Sequence, residues 1–228
     1  MADIWAHRGA SRAKPENTLE AFREAKAQGA DGVELDVRRT RDGAMAIHHD
    51  AALPDGRNVF ELDVADLPPD VPLLDAALDA CAGMLVNIEI KNVPVDVDHD
   101  PTERMAEAVV TLVTELGLRQ SVLVSSFSLE TIDRVRTLDP SIPTGYLTSA
   151  RWNQVHALER AVAGGHSAIH PMDPVVNPEL VRLAHDAGVR VNTWTVDDPD
   201  RIRWLVDECG VDAVITNVPD VARAALGS

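Results

Sequence analysis

Residues 32–49, GVELDVRRTRDGAMAIHH, decide how the chain must fold. Two β-prone runs, 32–39 and 44–49, are separated only by Thr40-Arg41-Asp42-Gly43. A parallel connection needs a crossover of a dozen or more residues, so the two runs must form an antiparallel hairpin. With its turn centred between Arg41 and Asp42, residue 34 lies opposite residue 49, and His49 is carried back over Glu34. Successive strand residues face opposite ways, so this register turns His48 away from that face.

Outward from the hairpin, β-rich runs recur at 3–8, 84–91, 121–126, 143–148, 167–172, 189–196 and 211–217, with amphipathic segments between most of them. The helical segments carry start and stop signals. Asn17 is expected to cap TLEAFREAKAQ, which stops at Gly29, and NPELVRLAHDAG and DPDRIRWLVDECG pair an early Pro with a terminal Gly. With the return arm of the hairpin set aside, eight parallel strands alternate with helices. That count predicts an α/β fold, a (β/α)8 TIM barrel with an antiparallel hairpin extension after the second barrel strand. An open doubly wound sheet is the alternative. No linker-like or low-complexity tract divides the sequence, so residues 1–228 are expected to be one domain.

Composition narrows the partners. With 21 Lys and Arg against 37 Asp and Glu, the formal charge is −16, and the average surface repels phosphate backbones and anionic lipid. Nucleic acid and stable membrane association are therefore not expected, and any anionic ligand needs local positive charge. The first residues, MADIWAHRGA, lack the pattern of a secretion signal, and a cytoplasmic location is expected. Cys81 and Cys209 have no metal-like spacing and are expected to be buried, reduced thiols. His99, His156, His166 and His185 are expected to face solvent; His170, at a strand end, receives no role.

Barrels of this kind work at the C-terminal ends of their strands. Glu34 and Asp36 are two apart and share a face; Glu89 and Lys91 do the same on the next barrel strand. Three acids in one small, dry volume cannot all stay ionised without compensation, and a hard divalent cation, Mg²⁺ or Ca²⁺, supplies it. A plain salt-bridge cluster is the competing explanation. His7 arrives from the first strand and His49 from the hairpin, so two imidazoles flank the acids as a candidate acid and base. Arg8, beside His7, suits contact with a phosphate or carboxylate.

Read in order, AHRGASRAKPENTLEAF, GADGVELDVRRTRDGAMAIHHD, LVNIEIKN, VLVSSFS, VNTWTVDDP and GVDAVITNVPD resemble the glycerophosphodiester phosphodiesterases of the phosphatidylinositol-phospholipase C-like superfamily. The resemblance implies metal-dependent hydrolysis of glycerophosphodiesters to an alcohol and sn-glycerol 3-phosphate. Position by position, it implies His7 and His49 as general base and general acid in an order it leaves open. It further implies Arg8 and Lys91 at the phosphate, Glu34, Asp36 and Glu89 as metal ligands, and Trp194 as an aromatic wall. Glu16 and Asn17, in the matched P-E-N-T segment, are expected to order the loop behind His7 and Arg8.

Two departures from the family stand out. The segment after His49-Asp50, AALPDGRNVFELDVADLPPDVP, is shorter than the usual insertion and lacks its threonines, and Asn217 stands where the family commonly has Asp. The rival functions are a phosphodiesterase acting on lysophospholipids, an aldolase or isomerase barrel that survives chelation, and a non-catalytic binding barrel.

Overall fold

The computed structural model describes residues 2–227. Strands β1 (Asp3–His7), β2 (Gly32–Arg39) and β3 (Met45–Ile47) are followed by β4 (Leu85–Ile90), β5 (Val122–Ser126) and β6 (Thr144–Thr148). The series ends with β7 (Ala168–Pro171), β8 (Arg190–Thr193) and β9 (Ala213–Thr216). The strand order β1-β9-β8-β7-β6-β5-β4-β2-β3, with an additional β1–β2 pairing, closes eight parallel strands into a ring and leaves β3 outside it. This is the expected barrel, and the open sheet is excluded because no barrel strand is left with a free edge.

The helices α1 (Leu19–Ala27), α2 (Leu74–Ala80), α3 (Arg104–Glu115) and α4 (Leu129–Leu138) cover one side of the ring. Helices α5 (Gln154–Gly164), α6 (Pro178–Asp186), α7 (Pro199–Trp204) and α8 (Pro219–Ala225) cover the other. Each strand therefore sends one set of side chains outward to an apolar helix interface, and the outward residues Val33, Leu35 and Val37 of β2 are fully buried there. The alternate set points into the barrel, where Trp5, Leu123, Ala168, Ala213 and Ile215 form a small apolar plug. Trp5 fills that space only because residue 32 has no side chain: a Cβ there would meet Trp5 Cδ1 at 2.8 Å and the Leu85 carbonyl oxygen at 2.9 Å.

The hairpin is present, but its register differs from expectation. Val37 pairs with Ile47, Arg38 with Ala46 and Arg39 with Met45, one residue away from the predicted set. The Thr40 N–H bonds the Ala44 carbonyl at 3.0 Å, so the turn holds three residues, Arg41 to Gly43. Gly43 closes it at φ +87°. An odd turn length reverses which of His48 and His49 would face the carboxylates if the strand continued.

Two further expectations are corrected, and His170 stays outside the cavity. Thr18, not Asn17, caps α1: its Oγ1 accepts from the Ala21 N–H at 3.2 Å. His166 is buried rather than solvent-facing, with Nδ1 2.9 Å from Thr144 Oγ1 and Nε2 3.2 Å from Asp133. His170 is sealed inside the barrel beside Asn192, and burial drives its imidazole down to about 3, so it is neutral. Both cysteines are free and buried, as expected.

Candidate active site

The strand ends β1, β2 and β4 bring the predicted polar residues together. A cavity of about 260 Å³ is lined by His7, Arg8, Glu34, His49, Glu89, Lys91 and Trp194. Asp36 does not line it; its carboxylate lies behind, fully buried and within ion-pair reach of Arg8 and Lys91. Carboxylate oxygens of Glu34, Asp36 and Glu89 all lie within 4.8 Å of one another. The parallel register explains the convergence: His7 pairs with Glu34, and Asp36 with Glu89.

Two cations face these three acids. Lys91 Nζ is 2.9 Å from Asp36 Oδ1 and 2.5 Å from Glu89 Oε1, and Arg8 Nε is 3.3 Å from Asp36 Oδ2. Burial pushes Asp36 up, but Lys91 and Arg8 outweigh it and hold the carboxyl well below its ordinary range. Glu34 moves the other way: burial, then the charges of Asp36 and Glu89, push it well above the ordinary carboxyl range. Burial likewise raises Glu89 against the pull of Lys91. The site therefore lacks one unit of positive charge, and a divalent cation fits both the deficit and the oxygen donor set.

The P-E-N-T segment holds this arrangement from behind. Asn17 Nδ2 donates to Asp36 Oδ2 at 2.8 Å, its backbone N–H donates to the Arg8 carbonyl at 2.9 Å, and Glu16 accepts from Arg8 Nη1 at 2.9 Å. The chain makes this turn through left-handed residues, Arg8 at φ 56° and Gly9 at φ 80°. A Cβ on Gly9 would sit 2.7 Å from the backbone carbon of Ala21 in α1. Gly9→Ala is expected to lower stability by about 2 kcal/mol or more, since αL strain alone costs about 1–2 kcal/mol and the helix backbone cannot yield. Urea titration checks it, and an unchanged midpoint contradicts the close approach.

The two imidazoles sit in different company. His7 is mostly enclosed, with Nδ1 2.8 Å from Asn217 Oδ1, and burial followed by the charge of Arg8 lowers its pKa. His49 reaches the cavity by a route the strand register did not foresee. The ladder ends at Ile47, the His48 N–H makes a last bond to the Asp36 carbonyl at 3.1 Å, and the chain bends at His49. Arg38 Nε fixes that bend by donating to the His49 carbonyl at 2.7 Å, while its guanidinium is held by Asp98 at 2.6 Å. His49 Nδ1 lies 2.7 Å from Asp50 Oδ1; burial and Lys91 lower its pKa, and Asp50 opposes them.

Phe127, Leu147, Ile215 and Asn87 also line the cavity and carried no role in the sequence reading. Asn87 was legible, because it precedes Glu89 by two residues and shares its face. Phe127 lies just beyond β5, where no period applies; it meets Trp194 edge-to-face at 5.7 Å between ring centroids and completes an aromatic wall.

The sequence profile of the glycerophosphoryl diester phosphodiesterase family matches residues 7–221. A glycerophosphodiester phosphodiesterase from Caldanaerobacter subterraneus subsp. tengcongensis is 30% identical over 238 residues, covering 95% of this chain and 94% of that protein. The crystal structure of a glycerophosphodiester phosphodiesterase from Thermotoga maritima matches with TM-score 0.83 and 26% identity, covering 100% of this chain and 99% of that one. A phosphodiesterase from Oleispira antarctica, solved in complex with the product sn-glycerol-3-phosphate, matches with TM-score 0.87 and 26% identity over 100% of this chain and 98% of its own.

Proposed function

Since the chain belongs to the glycerophosphoryl diester phosphodiesterase family, we propose that it hydrolyses glycerophosphodiesters to an alcohol and sn-glycerol 3-phosphate, with His7 and His49 as its proton-transfer pair. The observation that carries this reading is the convergence of two imidazoles, three buried carboxylates and two cationic side chains on one cavity of about 260 Å³. Its lining is mostly polar or charged, with His7, Arg8, Glu34, His49, Asn87, Glu89 and Lys91, which suits a polar headgroup diester better than an apolar chain.

Glu34, Asp36 and Glu89 would hold one divalent cation, Mg²⁺ or Ca²⁺. Held there, such an ion would supply positive charge to the phosphoryl oxygens as negative charge builds on them. The remaining work falls to side chains. Arg8 and Lys91 bring positive charge to a diester monoanion whose transition state is more negative than its ground state. Trp194 with Phe127 encloses the organic part of the substrate.

The surroundings of the imidazoles divide their roles. His7 is buried against a neutral amide and an adjacent arginine, which favours the uncharged ring of a general base accepting the proton of the attacking O–H. His49 is paired with the Asp50 carboxylate, which opposes the lowering by burial and Lys91 and gives the ring a partner for the charge it carries as general acid toward the departing alkoxide. We further assign the reaction to residues 1–228 acting as one domain, of which Met1 and Ser228 lie outside the described residues. A reducing, cytoplasmic setting agrees with two unpaired buried cysteines. Among the described residues no helix is long and apolar enough to cross a membrane.

The test is release of the headgroup alcohol from a panel of glycerophosphodiesters and lysophospholipids, with glycerol 3-phosphate as the second product expected from the diesters. Turnover of the diesters is expected to exceed that of the lysolipids; the reverse ranking replaces the proposed substrate class, and inactivity on both removes the hydrolase reading.

A further inference from the structure

A line of polar groups runs from the cavity into the loop after β8: His7, Asn217, Asp197. We propose that Asp197, acting through Asn217, sets which ring nitrogen of His7 carries the proton, keeping it on Nδ1 and leaving the Nε2 lone pair free to accept. The inference rests on the reading of His7 as general base.

Donor and acceptor chemistry leads there. A carboxylate offers only lone pairs. Asp197 receives three donors: the Asn217 backbone N–H at 2.8 Å, the Thr216 hydroxyl at 3.1 Å and the Asn217 side-chain Nδ2 at 2.8 Å. The third bond decides how the Asn217 amide is turned, with its NH₂ toward Asp197 and its carbonyl oxygen toward His7. A carbonyl oxygen cannot donate, so the 2.8 Å contact from Asn217 Oδ1 to His7 Nδ1 requires the proton to be on Nδ1. Ser11 Oγ donates to the same oxygen at 2.9 Å, but a hydroxyl can serve either end of an amide and decides nothing.

Turned the other way, the amide would present its NH₂ to His7. The ring would then hold its proton on Nε2 and could only donate there, unable to take a proton from a nucleophile. An amide at 217 also sets the tautomer without adding a negative charge beside the ring, as a carboxylate in that position would, and without opposing Asp197 with a like charge. Asp197 and Asn217 are thus positioning residues: neither lines the cavity, and both act through His7.

Long-range ¹H–¹⁵N correlation NMR on metal-free, ¹⁵N-labelled protein reads the tautomer directly, with His7 assigned by its absence in His7→Ala. The wild-type ring is expected to be protonated on Nδ1 at neutral pH. In Asp197→Asn the Nε2-protonated form is expected to appear, and kcat to fall about 10–100-fold, the usual cost of losing such an orienting partner. KM should stay within about twofold, because substrate contacts are untouched. A wild-type His7 protonated on Nε2 overturns the proposal, as does an Asp197→Asn protein that keeps both the Nδ1 pattern and wild-type kcat. The wild-type spectrum needs no variant to fold. Full activity in His7→Ala would strike out the base assignment while leaving the tautomer measurement standing, so the two failures are distinguishable.

Discussion

Dialysis against EDTA is expected to abolish hydrolysis of a glycerophosphodiester, and added Mg²⁺ or Ca²⁺ to restore it. The expectation follows from charge and burial. Glu34, Asp36 and Glu89 are 4%, 0% and 6% exposed, so none can rely on water to stabilise its charge. Lys91 and Arg8 together offset two of the three, and Glu34 is left displaced well above the ordinary carboxyl range. A divalent cation removes that deficit and turns the cavity net positive, which a phosphodiester monoanion requires. Losing several kcal/mol of transition-state stabilisation corresponds to about 10²–10⁴ in rate. Because only the folded chain brings the three carboxylates together, an ion held there would shift thermal denaturation, by about 2.7 kcal/mol at a hundredfold excess over its dissociation constant. Undiminished activity after exhaustive chelation, with no change in melting temperature, rejects a metal at this triad and leaves the three acids as a salt-bridge cluster.

His49→Ala is expected to lower kcat by about 10²–10⁴, the usual worth of a positioned proton donor. KM should change little, since the proposed proton donor acts when the leaving alkoxide forms. The fold should survive the change, because the His49 side chain is 35% exposed and closes no part of the apolar core. A melting temperature close to wild type together with a collapsed kcat is the expected pair of results. Near-normal kcat in a folded His49→Ala protein removes the residue from the mechanism.

Arg38 illustrates how little of such an arrangement is written locally. It stands on β2, two residues beyond Asp36, yet it works backwards through the fold by gripping the His49 carbonyl and the Asp98 carboxylate, 11 and 60 residues away. His49 reached the cavity for a reason unlike the one expected. A three-residue turn shifted the hairpin by one position, and a bend held by Arg38 returned the imidazole to the carboxylates. The Asn17 side chain went to Asp36 instead of the helix N-terminus because Thr18 can cap α1, whereas the fully buried carboxylate gains a hydrogen-bond donor beside Lys91 and Arg8. His166 escaped notice because a single imidazole after a Gly-Gly pair carries no period from which its burial could be read.

The alternation of strands and helices, the one antiparallel return, and the pairing of Glu34 with Asp36 and of Glu89 with Lys91 are legible in the chain before it folds. These are local properties: a period of two fixes which side chains share a face, and a four-residue gap forbids a crossover. The hairpin register, the joining of Phe127 to Trp194 as one wall, and the chain of contacts from Asp197 through Asn217 to His7 arise only in the folded barrel. Each depends on where the closing barrel brings residues as much as 210 positions apart, as His7 and Asn217 are, and no spacing in the chain encodes that distance.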